Sequence, residues 1–420
     1  MSCFKLERYF EDIFNRIDKI HREETARIFL LAITAIRPFP VLSLHYLGME
    51  ATNKDYAIHM ELSRISTQHV FRIKKKWKKL LNSRCRDLLE VDDPCNREDA
   101  PFLAGKVNLL HRTVGDFLRN NYSDELRGRA GEGFDARSSL CKTIIALSKV
   151  SADGNHPNIS EGFDINIPNF DLVDEMLSYA RDYERTEAQS VAVLLDELDR
   201  VNTIRTNGSH VHWVNKRVSS YIEYENCTFL ALTIEAGLRI YVKEKLESNK
   251  MLITEKRGRP LLDYVCMPSP NLQDKWSLDP EMVRLLLEHR SDPNQPVGDI
   301  VEGSTVWGHF VSECYSVQQL DGYLHDPLEI MQESMEFMID HGADPTLKIK
   351  MGDFCSEERI KAFALGDGEK MLTMQEMLEY IFGPDRAAHL AARMEEYAQR
   401  NAPPPPPPPP SLFRRLLGWK

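Results

Sequence analysis

The phrase Leu-Leu-Leu-Glu-His-Arg-Ser-Asp-Pro-Asn at 285–294 returns at 337–346 as Phe-Met-Ile-Asp-His-Gly-Ala-Asp-Pro-Thr. In each copy, apolar residues at helical spacing run into a His, then a cap position, then an Asp-Pro turn. A shorter helix start precedes each copy: Arg259-Pro260-Leu261-Leu262-Asp263-Tyr264 before the first, Ser304-Thr305-Val306-Trp307-Gly308-His309 before the second. A weaker, earlier copy reads Thr228-Phe229-Leu230-Ala231-Leu232, followed by Ala236-Gly237-Leu238. The implied unit is a short helix, a turn, a second helix, a left-handed cap and an exit turn. One such unit cannot bury its own apolar face, so neighbouring units must stack.

Over residues 259–346 this pattern resembles the ankyrin repeat, whose helix pair ends in the His-Gly-Ala-Asp-Pro phrase found at 341–345. The copies are degenerate. Arg290 stands where the cap glycine is expected, at about 1 kcal/mol if the left-handed geometry is kept. The usual Thr and His of the first helix are missing from Arg259-Pro260-Leu261-Leu262, and the copies lie farther apart than the ~33-residue ankyrin period.

Toward the N-terminus, Ala26 to Ile36 is apolar nearly all round, which suits a buried helix that Pro38 ends. A short apolar run, Val41 to Leu47, follows. From Val70 to Leu81 the spacing of Val70, Ile73, Trp77 and Leu80 predicts an amphipathic helix whose other face is basic from Arg72 to Lys79. Cys85–Val91 and Lys106–His111 read as short strands around a loop from Asp92 to Gly105. Thr113 and Asp116 then offer capping-box spacing for another helix. Helices followed by strand, loop and strand are the order of a winged-helix domain. Further on, Ser138–Val150, Asp171–Tyr183 and Ala188–Asn202 read as connector helices, with a loop from Ser151 to Pro168.

The 420 residues allow two or three domains. Their 42% hydrophobic and 28% charged content is that of a folded globular chain. A net charge of −11 gives no overall pull toward nucleic acid or anionic membranes, so nucleic acid is not the expected partner. No apolar stretch reaches the ~20 residues of a spanning helix, and the N-terminus lacks a signal peptide's apolar core. The eight cysteines are dispersed without a CxxC pair and read as reduced, mostly buried thiols of a cytoplasmic chain.

Motifs with chemical potential are sparse. Gly128, Gly131 and Gly133 lack the preceding strand that a phosphate cradle needs, and read as a loop. His210 and His212 have no third ligand at metal-site spacing. His289 and His341 occupy matching repeat positions that packing explains. The carboxylates from Asp196 to Asp199 read as a solvated face, as does the basic run Arg72–Lys79. No catalytic, cofactor-binding or metal-binding residue is assigned. Eight prolines, Pro403–Pro410, read as an exposed polyproline II spacer about 25 Å long, either a ligand for aromatic-lined grooves or a low-complexity spacer with no partner. The candidate partner-binding residues are therefore Pro403, Pro406, Pro409, Phe413, Arg414 and Leu416. The last three belong to a short basic amphipathic end.

Ala26–Leu47, Arg84–Val91, Phe134–Lys149, the repeats and above all Leu109-Leu110-His111-Arg112-Thr113-Val114-Gly115-Asp116-Phe117-Leu118 carry a wider likeness. Over most of 1–390 the chain resembles the C-terminal half of a fungal NACHT-type NOD-like receptor. There a domain of unknown function follows the nucleotide-binding module, and ankyrin-like repeats often follow it. The family's P-loop, GxxxxGK[ST], is nowhere in the 420 residues. The resemblance thus implies either a continuation upstream or a shortened paralogue, and assigns nucleotide chemistry to no residue here.

The expectation is a mainly α chain. A winged-helix-like domain with a small β element covers 1–123, a helical connector 124–217, and an ankyrin-like helix-pair stack 218–395. A disordered polyproline tail covers 396–420. The expected function is non-enzymatic protein–protein interaction in a NOD-like-receptor-type signalling or incompatibility protein. The alternatives are a winged-helix nucleic-acid-binding regulator using Arg72–Lys79, and a structural scaffold.

Overall fold

A computed structural model describes residues 17–85, 88–92, 101–103, 105–151, 169–206, 212–216, 226–267, 278–298, 304–318, 328–350 and 371–401. The chain is mainly helical with small antiparallel sheets, and divides into two units. One comprises Met1–Leu252 with Pro268–Trp276, the other Ile253–Met267 with Ser277–Lys420. Among the described residues, no helix is long and apolar enough to cross a membrane.

The first unit opens with α1 (Arg22–Thr34), whose first turn holds Glu23 and Glu24 against the helix dipole. Ile28, Phe29, Leu30 and Leu31 are all buried, so the helix is covered on every side as its apolar composition predicts. Strand β1 (Phe39–Pro40) precedes α2 (Leu42–Glu50), α3 (Tyr56–His59) and α4 (Thr67–Cys85). Strands β2 (Leu89–Asp92) and β3 (Lys106–Leu109) complete an antiparallel sheet of order β1-β3-β2. Buried Val107 stands opposite Phe39 on one side and Val91 on the other. Pro40 is tolerated because β1 is an edge strand.

In α4 the buried residues are Val70, Ile73, Trp77, Leu81 and Cys85. Leu80, expected among them, is half-buried, because the helix runs on to Cys85 and Leu81 then lies closer to the middle of the buried stripe. The next helix, α5 (Arg112–Phe117), starts one residue before the expected cap. His111 caps it, its Nδ1 accepting the Thr113 N–H at 3.2 Å, while the Thr113 hydroxyl lies within the first turn. After α6 (Ser123–Arg129) comes α7 (Ala136–Val150), capped by Asp135, which accepts the Ser138 N–H at 2.8 Å.

The centre of this unit is α7. It packs against α1, α2, α3 and two later helices, α8 (Phe170–Glu187) and α9 (Ala192–Arg205). Its Lys149 is fully buried. The ammonium donates to the carbonyls of Ile58 (2.8 Å) and Met60 (2.7 Å) and pairs with Glu197 of α9, so the buried charge is satisfied. Lys142 bonds Glu50 at the end of α2 at 2.6 Å. The sequence places the start of the helix after α8 at Ala188. Instead, Ala188 is the left-handed cap of α8 (φ 51°) and α9 begins at Ala192. Helices α10 (Phe229–Glu235) and α11 (Arg239–Ser248) belong to the same unit, and positions 123 and 217 fall inside it.

In the second unit, α12 (Leu261–Cys266) pairs with α13 (Pro280–Glu288), and α14 (Val306–Gln318) precedes α15 (Leu328–Asp340). A two-stranded ladder, β4 (Lys348–Lys350) with β5 (Met371–Thr373), leads to α16 (Met374–Phe382) and α17 (Pro384–Arg400). First helices pack in a row, α12 on α14 on α16, and second helices in another, α13 on α15 on α17. The core between them contains Met282, Leu286, Trp307, Phe310, Met335, Met338 and Leu390, all fully buried. The pair α16–α17 and the β4–β5 ladder have no counterpart in the sequence repeat. A full capping box, Thr373 with Glu376, starts α16.

Candidate interaction surfaces

The recurring turn is built the same way in both copies. After α13, Arg290 takes a left-handed φ of 74°. Its N–H bonds the Leu287 carbonyl (2.9 Å), and the Ser291 N–H bonds the Leu286 carbonyl (3.0 Å). After α15, Gly342 has φ 89°, with Gly342 N–H to Ile339 and Ala343 N–H to Met338, both at 3.0 Å. Both are Schellman caps, and Gly237 (φ 73°) forms a third after α10, with the Leu238 N–H on the Thr233 carbonyl at 3.1 Å. Arg290 thus keeps the geometry of the glycine it replaces.

The matching histidines serve these caps. His289 Nδ1 lies 2.8 Å from the Leu285 carbonyl and His341 Nδ1 2.8 Å from that of Phe337. In the exit turns, Asp292 accepts the Asn294 N–H and Asp344 the Thr346 N–H, each at 2.8 Å. One residue joins the two copies. Asn294 donates to the Gly342 carbonyl (2.7 Å) and accepts the Asp344 N–H (2.8 Å). The result is a line of turns with Asp292, Pro296, Pro345 and Thr346 exposed along it.

Behind the turns, Arg259, Asp263 and His309 form a buried cluster. Arg259 donates to the Asp263 carboxylate (2.5 Å) and carbonyl (3.0 Å), and to the Met267 carbonyl, and its guanidinium lies 4.1 Å from the Tyr264 ring centre. His309 Nδ1 is 2.9 Å from the other Asp263 carboxylate oxygen. Burial alone would push the Asp263 carboxyl up, but the Arg259 charge and the His309 bond hold it below the usual carboxylate range. Arg259 is thereby the buried partner of Asp263. The cluster links the first helices of two pairs and has the character of a structural ion pair.

A cleft of about 440 Å³ lies between α15 and α17, lined by Glu329, Glu333, Glu336, Asp385, Arg386 and His389. Arg386 pairs with Glu329 at 2.9 Å and His389 with Glu336 at 3.3 Å, so much of its charge is compensated. The arginine bond holds the Glu329 carboxyl below its ordinary value.

The first unit presents a different surface. Along α4, Arg72, Lys75, Lys76, Lys78 and Lys79 are exposed, and Phe71 is 64% exposed on the flank. His45, half-buried nearby, is held below its ordinary value by burial and by the charges of His69 and Lys76.

Other residues singled out by sequence have structural partners. Asp196 binds the Tyr241 hydroxyl (2.8 Å) and Lys245 (2.7 Å), and Asp199 binds the Trp213 indole N–H (2.7 Å). Between them Glu197 binds Arg200 and Lys149. Asp196 is exposed as expected, but the run also makes tertiary clamps, and Glu197 within it is buried. Arg200 is three residues from Glu197, but the other partners lie 14 to 49 residues away, beyond the reach of helical periodicity. His212 Nε2 also reaches Asp199 (3.2 Å), whereas His210 lies outside the described residues. Gly128 sits within α6, while Gly131 and Gly133 are left-handed in the following turn. Among the described residues, no three His, Cys, Asp or Glu side chains form a metal-binding group. Cys85, Cys141, Cys227, Cys266 and Cys314 are buried thiols. Pro403, Pro406, Pro409, Phe413, Arg414 and Leu416 lie outside the described residues.

Residues 16–158 match the family model of a domain of unknown function, DUF7791. The match runs from the start of α1 through α7, taking in the three-stranded sheet and the central helix. No curated protein and no solved structure matches the chain.

Proposed function

We propose that this chain is a non-enzymatic protein-recognition module of a cytoplasmic, NACHT-type NOD-like-receptor protein. On this reading the first helices and the three-stranded sheet form a winged-helix-like domain, and the helix pairs within 218–395 are ankyrin-like repeats that bind a protein partner. The observation behind it is the pair of matching Schellman turns stitched by Asn294. The stitch aligns successive exit turns into one exposed, rigid edge, while their polar backbone groups are satisfied internally. Such an edge suits recognition because its side chains vary without disturbing the stack. The eight prolines of 403–410 supply a second contact for an aromatic-lined groove.

The test is photo-crosslinking in cells, with a photoreactive residue at Asp292, Pro296 or Thr346 and control sites at Lys243 and Lys250. The expected outcome is one protein adduct shared by the turn positions and missing from the controls. Equal labelling at all five sites would remove the turn edge as the recognition surface. A peptide of residues 401–420 should bind a profilin or an SH3 domain in titration calorimetry, and a flat titration against both would withdraw the tail contact.

A further inference from the structure

The exposed face of α4 carries charge of one sign. From Thr67 to Cys85 the helix holds no acidic residue, and Arg72, Lys75, Lys76, Lys78 and Lys79 have no carboxylate partner among the described residues. Elsewhere cations are commonly neutralised: Arg129 by Glu125, Lys142 by Glu50, Arg284 by Glu281, Arg393 by Asp340. In a chain with 64 acidic residues, such a run of neighbouring cations without a carboxylate partner among the described residues is self-repelling and favours an anionic ligand.

We propose that this face of α4 binds the phosphate backbone of nucleic acid. Gln68, Arg72, Lys75, Lys79 and Asn82 follow one another at four- and three-residue steps and form the stripe opposite buried Ile73, Trp77 and Leu81. Arg72 to Lys79 spans about 10 Å of helix axis at 1.5 Å per residue. Lys76 and Lys78 flank the stripe. Burial of Trp77, Val70 and Ile73 fixes the rotation of the helix, so the cations cannot turn inward.

The residue types select among polyanions. Four of the five are lysines, which act as point charges on phosphate and lack the planar fork of arginine for carboxylates. Lysine is also depleted at protein–protein interfaces. A membrane surface is disfavoured because Phe71 is the one large apolar side chain exposed on this helix, whereas interfacial helices bury a whole apolar face. The Phe71 ring is instead placed to stack on an unpaired base. The net charge of −11 weakens long-range attraction, which confines binding to low and moderate salt.

The test uses the full chain with fluorescein-labelled 20-base single strands and 20-base-pair duplexes, read by anisotropy from 50 to 200 mM NaCl. Three to five neutralised phosphates give a log–log salt slope of about −3 to −4.5 on the duplex and about −2 to −3.5 on the single strand, a loss of roughly twentyfold to several hundredfold across that range. Lys75→Gln/Lys79→Gln should reduce the slope by about 2. Lys75→Glu/Lys79→Glu should weaken binding at least tenfold at 50 mM, with an unchanged circular dichroism melt, while Lys250→Glu should have little effect. The proposal is overturned if folded protein does not bind either oligonucleotide at 50 mM, or if the Gln and Glu pairs bind like the parent. Patch-dependent capture by phosphatidylserine vesicles without oligonucleotide binding would also overturn it, in favour of a membrane.

Discussion

Arg290 and Gly342 occupy the same cap position, which makes them a matched test of the repeat. At Gly342 (φ 89°) an added Cβ would stand 2.7 Å from the Tyr397 hydroxyl oxygen and 3.1 and 3.2 Å from two ring carbons. Gly342→Ala therefore incurs the left-handed penalty of about 1–2 kcal/mol and, because half-buried Tyr397 can partly yield, about 1 kcal/mol of overpacking. The expected loss is about 2–3 kcal/mol. Tyr397→Phe removes the closest atom, so the double variant should recover about 1 kcal/mol as a coupling in a double-mutant cycle. Arg290→Gly runs the other way. It removes the left-handed penalty but adds about 0.5–1 kcal/mol of unfolded-chain entropy, leaving a net gain of about 0.5 kcal/mol. Urea unfolding followed by Trp307 emission reads both, since that indole is fully buried in the same unit. Gly342→Ala within 0.5 kcal/mol of the parent would refute the shared-cap account. A destabilisation of 1 kcal/mol or more by Arg290→Gly would do the same.

The core of the helix pairs gives a simpler expectation: Leu286→Ala and Met338→Ala, both at fully buried positions, should each cost about 2–5 kcal/mol in chemical denaturation. Asp263→Ala strands the Arg259 guanidinium, itself 2% exposed, and should cost about 3–5 kcal/mol, so a loss under 1 kcal/mol would show that water reaches the cluster. The pH dependence follows from Asp263 and from Glu197, whose burial pushes its carboxyl up but whose bonds to Arg200 and Lys149 bring it below the ordinary value. With folded values below unfolded ones, stability is full above the ordinary carboxylate range near pH 4. It is lost as pH falls through that range toward the folded values, which acid titration of the folded fraction would follow. Trp77→Ala should remove about 3–5 kcal/mol from the first unit, and a neutral result would place the indole outside its core.

Short-range pattern carried a good part of the architecture. The apolar run near α1, the three- and four-residue spacing of α4, the strands either side of residues 93–105 and the helix ends at 290 and 342 are all legible in the sequence. Each depends on interactions within about five residues: periodicity, proline, and a cap in left-handed conformation. The same locality explains the misses at Thr113, Leu80 and Ala188, where a shift of one to four residues in a helix boundary changes which residue caps or faces the core. Partnerships across the chain were not legible. Asp196 to Asp199 looks solvated until Tyr241, Lys245, Trp213 and Lys149 arrive from elsewhere. Lys149 resembles any surface lysine until the carbonyls of Ile58 and Met60 close on it. Asn294 looks like a turn residue, yet joins two turns about fifty positions apart. Neighbours along the chain thus give the helices and their turns to within one to four residues. Which charges are buried and paired, as at Lys149, Glu197 and Asp263, came from packing, because a charge's environment depends on residues distant in the chain; the solvent-facing cations of α4 were already legible from its period.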